Sequence, residues 1–141
     1  MAEPGLVLDA SAVLALFLHE PGGTEVAALL GTGDARMSTV NAGEVVDVLV
    51  RVHRGDPDDV VAQVAVLLST VAPVSATTDI ATRAGELRAR HWRRDQRVSL
   101  ADCFVIASAE PGERIATSDA TLAAVARAEG YEVVALTQPP E

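Results

Sequence analysis

Short apolar runs alternate with longer stretches of helical periodicity along this chain. Residues 6–8 read as a short buried strand, and residues 11–18 as a helix with apolar positions on more than one side. Pro21, Gly22 and Gly23 punctuate the chain before a second helical stretch at 24–30. Residues 36–38 suit a strand, followed by a helix from about Asn41 to Val52 that Gly55 ends. Asp56 and Pro57 make a helix start, the Asp as cap and the Pro in the first turn, and this helix should turn Val60, Val64, Leu67 and Leu68 inward.

Residues 71–74 suit a further strand, which Pro73 confines to an edge or a strand end because it has no N–H to donate. A helix at 78–91 is rich in arginine, and one at 99–109 is more apolar. Strands at 114–116 and 133–135 flank a helix at 122–128, which Gly130 closes. Strands alternating with helices predict an α/β fold, a single α/β/α sandwich around a mainly parallel sheet of short strands. The expected domain is residues 1–141, with 136–141 as a frayed tail; there is no repeat, low-complexity tract or linker.

At 141 residues the chain suits one domain with a sizeable core. Hydrophobic residues make up 49% but aromatics only 3%, so Ala, Val and Leu must build that core. No run of about 18 uncharged apolar residues is present, which argues against a membrane span. The first residues lack the basic, apolar and small-residue order of a secretory signal. A single cysteine, Cys103, cannot form an internal disulfide, and a reducing, cytoplasmic location is the expectation. Within an apolar helix its thiol reads as a small buried side chain rather than a nucleophile. His19, His53 and His91 lack the paired spacing of a zinc site.

The formal charge of −9 counts against a nucleic-acid partner, but its distribution changes that picture. Every basic residue is an arginine, and Arg83, Arg88, Arg90, Arg93, Arg94 and Arg97 crowd into one segment beside Trp92. Guanidinium groups next to an indole can grip a phosphate backbone and stack on a base. Charge alone is better explained by a solvated helix face.

Four acids stand at strand ends or helix starts: Asp9 in LVLDAS, Glu44 in NAGEVV, Asp102 in SLADCF and Asp119 in ATSDAT. Each has a structural explanation. Asp9 and Asp119 can cap helices, and Asn41 with Glu44 and Ser99 with Asp102 have capping-box spacing. Capping does not explain why Asp102 sits among Leu100, Ala101, Cys103 and Phe104, where an unpartnered charge is costly. The carboxyl ends of parallel strands lie along one edge of a sheet, where ligand crevices form. Carboxylates gathered there would repel one another unless a hard cation such as Mg2+ or Mn2+ lay between them.

Taken in order and at these separations, LVLDASAVLALFLHEPG, STVNAGEVVDVLVRV, VSLADCFVIASA and IATSDATLAAVA resemble the PIN domain, and within it the VapC-type toxins of bacterial toxin–antitoxin pairs. The resemblance covers essentially the whole chain. It implies a Mg2+- or Mn2+-dependent ribonuclease in which Asp9, Glu44, Asp102 and Asp119 hold the metal and serve catalysis. It also implies supporting roles for Ser11, Thr117 and Ser118. Many relatives carry a further Asp where this chain has Thr121, which would leave one metal well held and a second weakly held. By this resemblance, water activated by the ion cleaves an RNA phosphodiester in line, leaving a 5′-phosphate and a 3′-hydroxyl.

In that light Arg83, Arg90, Trp92, Arg93, Arg94 and Arg97 become candidates for binding RNA, which in this family is structured, such as tRNA or ribosomal RNA. A cognate antitoxin is expected to cover the site. Val13, Phe17, Leu18, Leu49 and Val52 are candidates for its groove, although each also suits the core. A homodimer is expected too. The rival readings are a PIN-like RNA-processing nuclease without an antitoxin and a non-catalytic α/β module that binds a partner protein. A small-molecule phosphatase of the DxDx(T/V) type is disfavoured because Ala10 and Ser11 follow Asp9, and the spacing of Gly22, Gly23, Gly31 and Gly33 matches no dinucleotide fingerprint.

Overall fold

The computed structural model describes residues 4–32 and 34–140; Gly33 of the glycine series and Glu141 of the tail lie outside the described residues. Five short strands form one sheet, in spatial order β3-β2-β1-β4-β5, and every pairing is parallel. They are β1 (Leu6–Leu8), β2 (Ala35–Ser38), β3 (Ala72–Val74), β4 (Arg114–Thr117) and β5 (Glu132–Ala135). The helices are α1 (Ala10–Phe17), α2 (Pro21–Leu30), α3 (Thr39–Arg51), α4 (Pro57–Leu67), α5 (Thr78–His91), α6 (Leu100–Ser108) and α7 (Ala120–Ala128). Pro73 lies in the edge strand β3, where a missing donor disturbs no interior ladder.

Alternation along the strands divides the core in two. Leu6 and Leu8 face a cluster built with Val13, Val26, Val45, Leu49, Val60 and Val64 of α1 to α4. Val7 points the other way, into a cluster with Leu87, Phe104, Ile106, Leu122 and Val125 of α5 to α7. The central strand β1 is therefore buried on both faces, as an all-apolar Leu-Val-Leu run requires. This is the layered α/β sandwich expected from the sequence.

Several boundaries differ from the pattern-based expectation, among them the starts of two helices. Helix α2 begins at Pro21 rather than Thr24, with Gly22 and Gly23 buried in its first turn. A Cβ at Gly23 would lie 2.5 Å from the Ala15 carbonyl oxygen, so here glycine permits a close helix approach instead of breaking a helix. Helix α3 begins at Thr39, capped by Ser38, whose Oγ accepts from the Val40 N–H at 3.2 Å. Asn41 is thus inside the helix and is not a cap.

The expectation of a tail frayed from residue 136 fails for its first three residues. Leu136 is buried and donates its N–H to the Thr117 carbonyl at 2.9 Å. Thr137 is bonded to Glu25, and the Gln138 side chain donates to the Ser118 carbonyl at 3.0 Å. No single helix among the described residues is long and apolar enough to cross a membrane.

Candidate functional site

The parallel sheet delivers two of the acids directly. Asp9 follows β1 and caps α1, and Asp119 follows the neighbouring β4 and caps α7. Asp9 is only 4% exposed, and its carboxylate is saturated with donors. Ser11 Oγ donates to it at 2.7 Å, the Ala12 N–H at 2.9 Å and Thr117 Oγ1 at 2.5 Å. Thr117 Oγ1 in turn accepts the Asp119 N–H at 2.9 Å, while Ser11 Oγ accepts the Ser118 N–H at 3.0 Å. The three polar residues singled out from sequence therefore stitch the ends of β1 and β4 together, Ser118 through its backbone.

The other two acids come from helices that cross this edge. Asp102 lies in the first turn of α6, where a complete capping box joins it to Ser99. Glu44 projects from α3 and accepts from Asn41 Nδ2 at 2.7 Å. The same Asn41 amide lies 3.2 Å from the Ala101 carbonyl, so it binds α3 to the start of α6 and sets Glu44 beside Asp102. Asn41 was read from sequence only as a possible cap; its burial inside a helix, next to an acid three residues on, is what fits it for bridging.

The charge of Asp102 acts on Asp9, and those of Asp119 and Glu44 act on Asp102. Burial pushes the Asp102 carboxyl up to about 6, helped by the charges of Asp119 and Glu44. Burial likewise pushes Asp9 up to about 6 against the lowering effect of its hydrogen bonds, with Asp102 adding to the rise. Cys103, beside Asp102 in α6, is pushed up to about 11 by burial and by that neighbour, so the thiol stays protonated and is no nucleophile.

Among the described residues no group of three or more Asp, Glu, His or Cys side chains stands ready to hold a metal ion. Asp119 and Asp102 are each partly engaged in a helix cap. Asp119 Oδ1 is turned to the Thr121 and Leu122 N–H groups at 2.8 and 3.1 Å, and Asp102 Oδ2 to the Ser99 N–H at 3.3 Å. The donor set nevertheless suits a hard cation. Asp102 Oδ1, Asp119 Oδ2 and Glu44 Oε2 accept no hydrogen bond from the described residues, and their mutual repulsion is what a divalent charge relieves. A cavity of about 180 Å3, lined by Thr117, Ser118 and Asp119 with Arg127 and Gln138, adjoins the fourth acid.

The arginine segment divides into two groups. Arg90 pairs with Glu129 at 3.1 Å, whose carboxyl is held below the usual range by the hydrogen bond to His91 and by Arg90 itself. Arg83 lies with Arg90 on the side facing Glu129, with its guanidinium 3.5 Å from the Tyr131 hydroxyl. Arg88, Arg93, Arg94 and Arg97 form no salt bridge among the described residues. Trp92 is 42% exposed at the end of α5.

The candidate antitoxin groove needs correction at two positions. Val13 and Leu49 are buried in the core between α1, α3 and the sheet, because both fall on inward-facing helix positions, and neither is available to a partner. Phe17 and Leu18 are half-buried and Val52 is exposed.

The fold is that of a parallel α/β protein with Asp9 and Asp119 at the carboxyl ends of adjacent central strands. The PIN domain family model matches residues 6–127, and the chain belongs to the PIN domain family. No curated protein matches the chain in sequence. Solved structures with the same fold include VapBC-1 from nontypeable Haemophilus influenzae, with TM-score 0.70, 14% identity, and coverage of 95% of this chain and 99% of that one. DNA-bound VapBC from Salmonella typhimurium matches with TM-score 0.69 and 17% identity over 94% of this chain and 98% of that one. VapC20 from Mycobacterium tuberculosis, described as a Sarcin-Ricin loop cleaving toxin, matches with TM-score 0.69 and 21% identity over 96% of this chain and 99% of that one.

Proposed function

We propose that this protein is a divalent-metal-dependent endoribonuclease that acts as the toxin of a toxin–antitoxin pair. One observation carries the proposal: Asp9 and Asp119 stand at the ends of adjacent strands, and Asn41 joins Glu44 to the start of the helix that carries Asp102. Asp9 is the fixed member, oriented by Ser11 and Thr117. Asp102 and Asp119 each offer a free carboxylate oxygen as a ligand. A bound Mg2+ or Mn2+ would supply the positive charge that polarises a phosphodiester and lowers the pKa of water.

Glu44, whose Oε2 has no donor among the described residues, serves as a further ligand or accepts the proton of the attacking water. With water as nucleophile, the products carry a 5′-phosphate and a 3′-hydroxyl. The arginines beyond α5, which have no carboxylate partner among the described residues, supply the attraction for RNA that the net charge of −9 denies to the rest of the surface. Likeness in fold to a Sarcin-Ricin loop cleaving toxin supports structured RNA as substrate, and likeness to VapBC complexes supports an antitoxin partner. Phe17, Leu18 and Val52 remain as its accessible contacts, and a homodimer is part of the same proposal.

A non-catalytic protein-binding module is the second reading, favoured by the finished helix caps of Asp9, Asp102 and Asp119. Purified protein incubated with total RNA separates the two. Cleavage should require Mg2+ or Mn2+, should stop with EDTA, and should fall at least about 100-fold in Asp9→Asn and Asp102→Asn. Equal cleavage by wild type and both variants would remove the catalytic assignment.

A further inference from the structure

Between α5 and the start of α6 lies an open groove of about 260 Å3, lined by Gly85, Arg88, Ala89, Trp92 and Leu100. Its shape follows from the sequence. Gly85 and Ala89 are one turn apart and too small to fill the face of α5, so they leave a trough; a Cβ at Gly85 would meet nothing within 4 Å. Trp92 and Leu100 stand at its rim and are 42% and 46% exposed, two of the large apolar side chains that the fold does not bury. A tight turn returns the chain from one to the other, closed by reciprocal backbone bonds of 3.1 Å between Arg93 and Gln96.

The surroundings are cationic in an acidic protein. Arg88 is anchored through Nε to the Val98 carbonyl at 3.2 Å, Arg93 to the Arg90 and Trp92 carbonyls, and Arg97 to the Arg94 carbonyl. Carbonyl contacts position these guanidinium groups without cancelling their charge. The groove is smaller than the roughly 300 Å3 at which pockets for drug-sized ligands begin, a size suited to one flat ring system.

We infer that this groove is a nucleobase pocket: one unpaired base of the RNA substrate stacks on Trp92 over the Gly85–Ala89 trough while Arg88, Arg93, Arg94 and Arg97 hold the flanking phosphates. This deepens the proposed function and rests on its RNA reading. Leu100 and Asp102 are two positions apart in the first turn of α6 and so point to different sides of it. The strand must cross the start of that helix to reach the acids. The base read by Trp92 is therefore offset from the cleaved phosphate, and the pocket selects for a single-stranded or looped-out nucleotide near the cut.

Trp92 is the only tryptophan, so its emission reports on the pocket directly. The full-length protein is titrated in EDTA with an eight-nucleotide oligouridylate and, separately, with an abasic ribose-phosphate octamer of equal charge. Saturable quenching by the first and none by the second is expected. Gly85→Leu, which fills the trough at a helical position with open space above it, should keep the fold and weaken oligouridylate binding, read by anisotropy, at least about fivefold. Trp92→Phe should retain more affinity than Trp92→Ala.

Oligouridylate that binds without altering Trp92 emission, or binds Gly85→Leu as tightly as wild type, overturns the pocket. So does an emission change that follows protein concentration without RNA, which would seat a second copy there. Cleavage in Mg2+ is scored separately. Quenching without any cleavage removes the nuclease reading alone, and cleavage without quenching removes the pocket alone.

Discussion

A carboxylate that is 4% exposed and ringed by hydroxyls is in tension with its own charge, and Asp9 is the clearest case in this protein. Asp9 and Asp102 both titrate near 6 instead of the ordinary 3.8. A raised folded-state pKa means that the native state holds the proton more tightly than the unfolded chain does. The corresponding stability is fully present below pH about 4 and is lost as pH rises through about 6, by up to about 3 kcal/mol per acid. Glu129 acts oppositely, as does Glu113, which Arg36 holds below the usual range although burial alone would raise it; their contributions are present above about 4.5 and lost as pH falls. The metal-free protein should accordingly lose stability, as urea midpoint in EDTA, between pH 4.5 and 6.5. Asp9→Asn, which can still accept the Ala12 N–H, should flatten that decline. Adding Mn2+ should restore stability at pH 7.5 more than at pH 5 in wild type, and in neither case for the variant. A wild-type profile that is flat, or that Asp9→Asn leaves unchanged, contradicts the shared acidic site.

Among the elements, α2 and α3 show how one residue type takes opposite meanings. Gly23 lies against the backbone of α1, where a methyl would meet the Ala15 carbonyl oxygen at 2.5 Å, whereas Gly43 faces open space on α3. Gly23→Ala should destabilise by about 1–3 kcal/mol because the helices must separate. Gly43→Ala should stabilise by up to about 1 kcal/mol through helix propensity alone. Thermal melts of the two variants, one lower and one higher than wild type, check this contrast. The same contrast explains what could be read from the chain and what could not. Apolar periodicity and punctuation placed all five strands and the body of every helix, since these depend on local patterns. Cap chemistry located Ser99, Asp56 and the edge position of Pro73. The start of α2, the burial of Val13 and Leu49 and the tethering of Leu136 depend on which elements meet across the fold, and no window of sequence contains that information. The placement of Asp9 and Asp119 after strands and of Asp102 in the first turn of a helix was readable from their motifs. The bridging amide of Asn41 and the division of the arginines between Glu129 and the open groove were not, because their partners lie far along the chain.

At the scale of the whole molecule, under the proposed function the charge pattern would give RNA one direction of approach. Twenty acids against eleven arginines make most of the surface repulsive to phosphate, and the pocket of carboxylates would be so as well without a cation. The parallel sheet sets that pocket at its carboxyl edge, and α6 joins it to the segment 88–97, where four guanidinium groups have no carboxylate partner among the described residues. Binding should then depend on few phosphate contacts and change steeply with each one lost. For single strands the logarithm of affinity falls with the logarithm of salt at a slope of about −0.7 per phosphate contact. Arg93→Ala with Arg94→Ala should reduce that slope by about 1.4 if each guanidinium meets one phosphate. Arg90→Ala should change it little, because Glu129 already neutralises Arg90. Anisotropy titrations of a labelled single-stranded RNA at 50 to 300 mM salt, in EDTA, give both slopes. An unchanged slope in the double variant would make Arg93 and Arg94 a solvated face, and the attraction for RNA would then have to arise at the acidic edge itself, through the bound cation.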